Sequence, residues 1–264
     1  VQILGKDAWR EFRGDPGVKG MNGSSHLAKI EDSTGKLHSC FVKLLDPSKP
    51  ALLCEALGWV LAHNSETPTV PFAAITAIPK SKLEKNVELP SWTENYDFCP
   101  AWCGEIVEGK SVKQIYTWKF FTGRLACLRH KTTRQIAAFD IWTDNRDRNY
   151  GNVIKSKSNE YIAIDHETLL HDLLWLPMGL QYAERSLLKE AKTYLPEKDF
   201  DKFLADLVGH AEHYKDALKK SEREIKSVIS ALYPGNSRLE SAVIDHLENR
   251  CEKDWITDEL GLML

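Results

Sequence analysis

Phe139-Asp140-Ile141-Trp142-Thr143-Asp144-Asn145-Arg146-Asp147-Arg148-Asn149-Tyr150-Gly151-Asn152-Val153-Ile154 sets three Asp, three Asn and two Arg between apolar flanks. Asp, Asn and Gly are what turns use, so a solvated loop is one reading of such a run. The flanks say more. Helical patterning dominates from Thr117 to Trp142, and two short β-type runs, Asn152 to Lys155 and Tyr161 to Ile164, follow across Lys157-Ser158-Asn159. The spacing predicts a helix, a polar loop and then a hairpin.

Outward from this segment, the element types segregate along the chain. On the C-terminal side everything after about Leu187 reads as helix. Phe200, Phe203, Leu204 and Leu207 repeat at three and four, as do Ile225, Val228 and Ile229, and later Leu239, Val243, Ile244 and Leu247. On the N-terminal side short β-type runs prevail. The turn residues Gly14-Asp15-Pro16-Gly17 and Gly20-Met21-Asn22-Gly23 lead into Ser25 to Glu31 and, past Thr34-Gly35, into Leu37 to Leu45. Pro50 opens a helix where its missing N–H costs nothing, and Leu52, Leu53, Ala56, Leu57, Val60 and Leu61 carry it through His63. Val70 to Ile78 returns to a strand. Lys80 to Asn95 reads as a loop, and Phe98 to Val107 as a buried strand or a connector. The expectation is an α+β protein of two lobes, a β-rich lobe over residues 1–103 and a larger helical lobe over 104–264.

Composition narrows the class. A chain of 264 residues buries a sizeable core without staples, and its six cysteines are scattered. With no basic-then-apolar opening, a reduced cytoplasmic protein is expected. No run approaches the ~20 apolar residues of a membrane span. A formal charge of −3 gives no global pull toward nucleic acid, so direct nucleic-acid binding is not expected. Arg124, Arg129, Lys131 and Arg134 form a local basic segment, read as a solvated helix face.

Spacing gives the polar segment its chemistry. An Asp followed five residues later by an Asn is the catalytic-loop arrangement of protein kinases, the Asp accepting the substrate hydroxyl proton and the Asn holding a metal; Asp147 and Asn152 stand five apart. A second acidic residue is then needed beyond a short hairpin, and Asp165 ends the second β-type run in Ile162-Ala163-Ile164-Asp165-His166-Glu167. Mg²⁺ prefers hard oxygen ligands and is commonly held by one or two carboxylates plus phosphates, which suits Asn152 and Asp165. Arg148 either stabilises charge during transfer or makes an orienting salt bridge within the loop.

Asn145-Arg146-Asp147-Arg148, Gly151-Asn152 and Ile164-Asp165 together resemble the catalytic and metal motifs of the HipA-like kinases and the related phosphoinositide 4-kinases. Ile164-Asp165-His166 stands in place of Asp-Phe-Gly, as in those atypical kinases. Asn149 stands where the family commonly has a histidine. The close match covers about Phe139 to Glu167. The resemblance implies an ATP- and Mg²⁺-dependent kinase acting on Ser/Thr of a protein, with toxin-type behaviour, self-phosphorylation and an inhibitory partner protein as family traits. A phosphoinositide or small-molecule kinase is the alternative, and an inactive kinase-like binding module a second.

The N-terminal half holds candidates for a nucleotide cradle in the expected order. Gly20, Gly23, Ser24 and Ser25 form a turn before a strand, where small residues let backbone N–H groups approach phosphate; a plain β-turn uses the same residues. Lys43 is one lysine inside the apolar Phe41-Val42-Lys43-Leu44, and Glu55 one acid inside Leu52-Leu53-Cys54-Glu55-Ala56-Leu57. An unpaired charge at either place is expensive, so the two are expected to pair. Adenine is expected between the lobes, near Ile78 and the 102–107 connector, with backbone hydrogen bonds from Glu105 and Val107. Cys99-x₃-Cys103 and Cys127-x₂-His130 have near-ligand spacing for zinc, but free cysteines more often behave as small buried apolar residues. Gly-x-Ser-x-Gly and His-Glu-x-x-His are both absent, which disfavours serine hydrolase and zincin chemistry.

Overall fold

The computed structural model describes residues 1–16, 24–116, 120–252 and 254–262. Two compact units emerge, one of Val1–Ala56 with Val70–Val107, the other of Leu57–Thr69 with Glu108–Leu264. The class is α+β, with the β-rich part first and the helical part second, as the segregation of patterns predicts.

The first unit is built on a six-stranded sheet. Its strands are β1 (Gln2–Leu4), β2 (Trp9–Gly14), β3 (His26–Glu31), β4 (Leu37–Leu44), β5 (Ala73–Pro79) and β6 (Phe98–Glu105), in the order β1-β5-β6-β4-β3-β2. Only β1 with β5 is a parallel pair; the remaining neighbours run antiparallel. Strict alternation along β3 and β4 sends Ala28, Ile30, Cys40, Val42 and Leu44 to one face, where they share a core with Trp9, Ile78, Cys99 and Cys103. Lys43 necessarily points to the other face.

One reading of this half needs correction. Lys80 to Asn95 is not a plain loop: α2 (Lys80–Leu83) and a 3₁₀ turn at Ser91–Asn95 fold across the core. Leu83 and Val87, four apart, are buried there, with Leu89 and Trp92 packed alongside; the surrounding lysines and glutamates hide so short an apolar stripe. The cysteines of the zinc alternative also behave as core residues. Cys99 and Cys103 are buried in β6, and burial pushes their thiols up. Burial likewise pushes the Cys127 thiol up to about 12.

The helix α1 (Ala51–Asn64) begins in the first unit and ends in the second. The second unit continues with β7 (Gly109–Ser111), α3 (Val112–Ile115), α4 (Phe120–Leu128) and α5 (Lys131–Trp142). The hairpin β8 (Val153–Ser156) and β9 (Tyr161–Ala163) joins β7 in a three-stranded antiparallel sheet. Then come α6 (Leu187–Tyr194), α7 (Glu197–Ala211), α8 (Tyr214–Leu232), α9 (Ser237–Asn249) and α10 (Trp255–Glu259). Helix α5 is the centre of this unit. Its Trp142 stacks on Tyr214 of α8 at 4.4 Å and donates from Nε1 to the carbonyl of Leu247 in α9 at 3.2 Å.

The basic segment is only in part a solvated face, since Arg129 and Lys131 are exposed and the other two arginines are not. Arg124 and Arg134 are buried, Arg134 bonds Asp206 of α7 and the carbonyl of Arg129, and Arg129 pairs with Asp199 at 2.7 Å. Among the described residues, no helix is long and apolar enough to cross a membrane.

Gly58 of α1 is the one place in that helix where a side chain has no room. A Cβ there would lie 2.4 Å from Cβ of His166, which is 2 % exposed. Gly58→Ala is expected to cost about 1–3 kcal/mol through overpacking, despite alanine's better helix propensity. Urea denaturation measures it, and a stabilised variant would contradict the packing.

Candidate active site

The polar segment begins inside α5 and is organised by one buried ion pair. Asp140 is 4 % exposed on the last turn of α5, and Arg148, six residues past the helix, returns to meet it. Nε and Nη2 of Arg148 donate to both carboxylate oxygens at 2.9–3.2 Å, and the arginine side chain is fully buried. Burial pushes the Asp140 carboxyl up, and the charge of Arg148 and the Asn145 amide oppose that push.

The same guanidinium has a second task. Its Nη1 donates to the carbonyls of Asn152 at 3.1 Å, Ile164 and Asp165 at 3.4 Å, while Nη2 contacts Nδ1 of His166 at 3.2 Å. One nitrogen thus joins the end of the polar loop to the turn after β9, and a backbone bond from Ile164 N to Asn152 O at 3.1 Å closes the same junction. Of the two roles the sequence leaves open for Arg148, the geometry gives it the orienting one: it is spent on the frame.

Asn145 is a further organiser. Its amide donates to Asp140 at 2.9 Å, and its Oδ1 accepts from Thr168 Oγ1 at 2.7 Å and from the Asp147 N–H at 3.3 Å. Asp147 is thereby fixed at the backbone and remains partly exposed. Its Oδ1 accepts from Asn149 Nδ2 at 2.9 Å and its Oδ2 from Arg185 Nη2 at 2.7 Å. Asn149 Oδ1 in turn accepts from the Gly151 N–H at 2.7 Å. Asn149 therefore braces the loop locally.

Asn152 closes the five-residue interval by donating from Nδ2 to the Asp147 carbonyl at 2.9 Å. With the amide nitrogen held there, its Oδ1 is not used in that bond. Asp165 has φ of +65°, a left-handed conformation that Asp tolerates better than most residues and that concentrates at functional sites.

In the first unit, Lys43 Nζ donates to Glu55 Oε1 at 2.6 Å, with side-chain exposures of 13 % and 1 %. The expected pair is present, on the sheet face opposite the core. A lysine on a strand, followed by a glutamate on the next helix, is the arrangement protein kinases use to hold α- and β-phosphates.

The other cradle candidates are less uniform. Ser24 and Ser25 are buried just before β3, and Gly20 and Gly23 lie outside the described residues. Glu105 cannot donate its amide to a base, because that N–H is given to the Phe72 carbonyl at 2.9 Å, and its carboxylate meets His38 Nδ1 at 3.2 Å. Val107 lies just past the last sheet bond, from Ile106 N to Ser39 O at 2.9 Å.

No protein-family model matches the sequence, and no curated protein matches it. Among solved structures, the crystal structure of a Helicobacter pylori proinflammatory kinase, CtkA, is similar over 97 % of this chain and 97 % of that one, at 13 % identity and a TM-score of 0.49. At that level of likeness the chemistry has to come from the side chains themselves.

Three residues of the candidate site carry a weak sequence signal or none. Asp140 looks like part of a turn-rich run, His166 like a loop residue, and Arg185 lies 38 residues beyond the aspartate it touches. A lone charge at the end of an apolar helix is the signal that marks Asp140 in retrospect.

Proposed function

We propose that this chain is an ATP- and Mg²⁺-dependent kinase of the HipA-like type that phosphorylates Ser/Thr hydroxyls of proteins, itself among them. The observation that carries the reading is the junction at Arg148, where one guanidinium nitrogen reaches the backbones of Asn152, Ile164 and Asp165. The order of Asp147, Asn152 and Asp165 around that junction supports the reading, since it is the order phosphoryl transfer uses.

The donors fit Mg²⁺. Asn152 Oδ1 and the Asp165 carboxylate are hard oxygens, the set that ion takes alongside phosphates. Mg²⁺ held there would neutralise negative charge on the phosphate oxygens. Asp147 receives the proton of the acceptor hydroxyl while the hydroxyl oxygen bonds the γ-phosphorus, and the bond to the β–γ bridging oxygen breaks to release ADP. Lys43, oriented by Glu55, holds the α- and β-phosphates. Arg148 keeps the loop and the Asp165 turn in register.

Calorimetric titration with ATP tests the reading. Binding is expected with Mg²⁺ present, and Lys43→Met is expected to weaken it by about 10- to 100-fold, the loss of one or two charge-assisted contacts. Equal binding by wild type and variant would remove Lys43 from the phosphate site, and no binding at all would speak for a kinase-shaped protein that does not use ATP.

A further inference from the structure

A cavity of about 230 Å³ opens in the second unit beside Asp147, lined among others by Lys113, Tyr116, Arg124, Asn149, Tyr150 and Arg185. Two of these residues are the ones that hold the two carboxylate oxygens of Asp147, Asn149 at 2.9 Å and Arg185 at 2.7 Å. Through these two residues the cavity adjoins the group proposed to take the acceptor's proton.

The walls are fixed and the charge is uneven. Tyr116 is seated against α4 where a Cβ on Gly123 would come within 1.8 Å of its ring, and its hydroxyl meets that of Tyr161 at 3.1 Å. Arg124, 7 % exposed, stacks on Tyr194 at 3.8 Å with Nε 3.5 Å from Glu190. Lys113, Arg124 and Arg185 line the cavity and no acidic side chain is among its described lining residues, the nearest ion pairs being Arg124 with Glu190 at 3.5 Å and Arg185 with Asp147 at 2.7 Å. The Arg185 side chain is 51 % exposed, and its backbone is tied to the loop by Arg148 N to Arg185 O at 2.8 Å and Arg185 N to Arg146 O at 2.9 Å.

We infer that this cavity is an acceptor subsite for a peptide bearing an acidic side chain next to the phosphorylated hydroxyl, and that the acidic group draws Arg185 away from Asp147 as it binds. The inference rests on the kinase reading above. An extended peptide fits better than a lipid headgroup. Asp147 and Arg185 already form a parallel backbone bridge beside the cavity, and Glu184 and Glu190 interrupt the broad basic surface that an anionic bilayer requires. Arg185 is a positioning residue in this scheme, and Asp147 the group that touches substrate.

The test is steady-state kinetics on the full chain with synthetic serine peptides, in which one Asp is walked from two residues before the serine to two after it, against all-alanine and lysine versions. Vesicles containing phosphatidylinositol form the lipid arm. Wild type is expected to favour at least one Asp peptide by about tenfold in kcat/KM, the worth of one charge-assisted contact. Arg185→Gln is expected to abolish that preference while raising kcat on the alanine peptide, and Arg185→Lys to restore the preference. A merely structural arginine would lower turnover of every peptide together. Wild type that transfers equally to all peptides, or faster to the vesicles, overturns the subsite and leaves the kinase standing. Absence of transfer to every acceptor, with ATP unbound in the presence of Mg²⁺, overturns the kinase reading and the subsite with it.

Discussion

Arg148→Ala is expected to lower the free energy of unfolding by about 3–5 kcal/mol, a large share of the 5–15 typical of a domain. The reason is not the loss of a favourable pair as such, since a buried ion pair contributes little net stability against an apolar substitute. The loss lies in what is left behind: an Asp140 carboxylate 4 % exposed without its cation, and carbonyls of Asn152, Ile164 and Asp165 without that donor. The double variant Arg148→Met, Asp140→Leu separates the two contributions. Removing both charges is expected to recover the part due to the orphaned carboxylate, while the lost carbonyl contacts together keep a cost of about 1–3 kcal/mol, the Asn152 carbonyl retaining the Ile164 N–H. Chemical denaturation of the three proteins gives the numbers. Full recovery by the double variant would mean that the carbonyl contacts carry no weight, and the junction would lose its claim to organise the site.

Asp147→Asn is expected to reduce kcat by about 10²–10⁴-fold, the range for a lost general base, with ATP affinity unchanged within about twofold. The change is nearly isosteric. It leaves the backbone bonds of the loop in place, and one face of the new amide still accepts from Asn149 or Arg185. The fold is therefore expected to survive, and pre-steady-state phosphoryl transfer against calorimetric ATP binding separates chemistry from binding. A parallel fall in both would place Asp147 on the nucleotide rather than on the acceptor.

Much of this arrangement was legible locally. Lys43 and Glu55 each stand as a single charge in an apolar run, and the cost of burying either alone predicts the 2.6 Å pair between them. Asp147 and Asn152 announce themselves by spacing, and Asp165 by its place at the end of a hairpin whose turn residues are plain. What escaped is what sequence separation hides. The parallel pairing of Gln2–Leu4 with β5 joins residues about seventy positions apart. The contact of Arg185 with Asp147 spans 38 residues, and no local pattern encodes it. The roles of Asp140 and Arg148 were half visible: both residues were in the quoted run, but only the folded chain shows the arginine turned inward to the helix and not outward to a ligand. The segment 80–95 failed for a different reason, because Leu83 and Val87 are too few and too widely set among charges to raise a periodic signal.

The central claim is that Asp147, Asn152 and Asp165 form one Mg²⁺-dependent phosphoryl-transfer centre. Transfer of the terminal phosphoryl group of ATP to the chain itself or to added protein tests it most directly, measured with and without Mg²⁺ for wild type, Asp147→Ala and Asp165→Ala, each checked for an unchanged denaturation midpoint. The account predicts transfer by wild type only with Mg²⁺, and its loss in both folded variants. Transfer by either variant at the wild-type rate, or by wild type without a divalent ion, would contradict it.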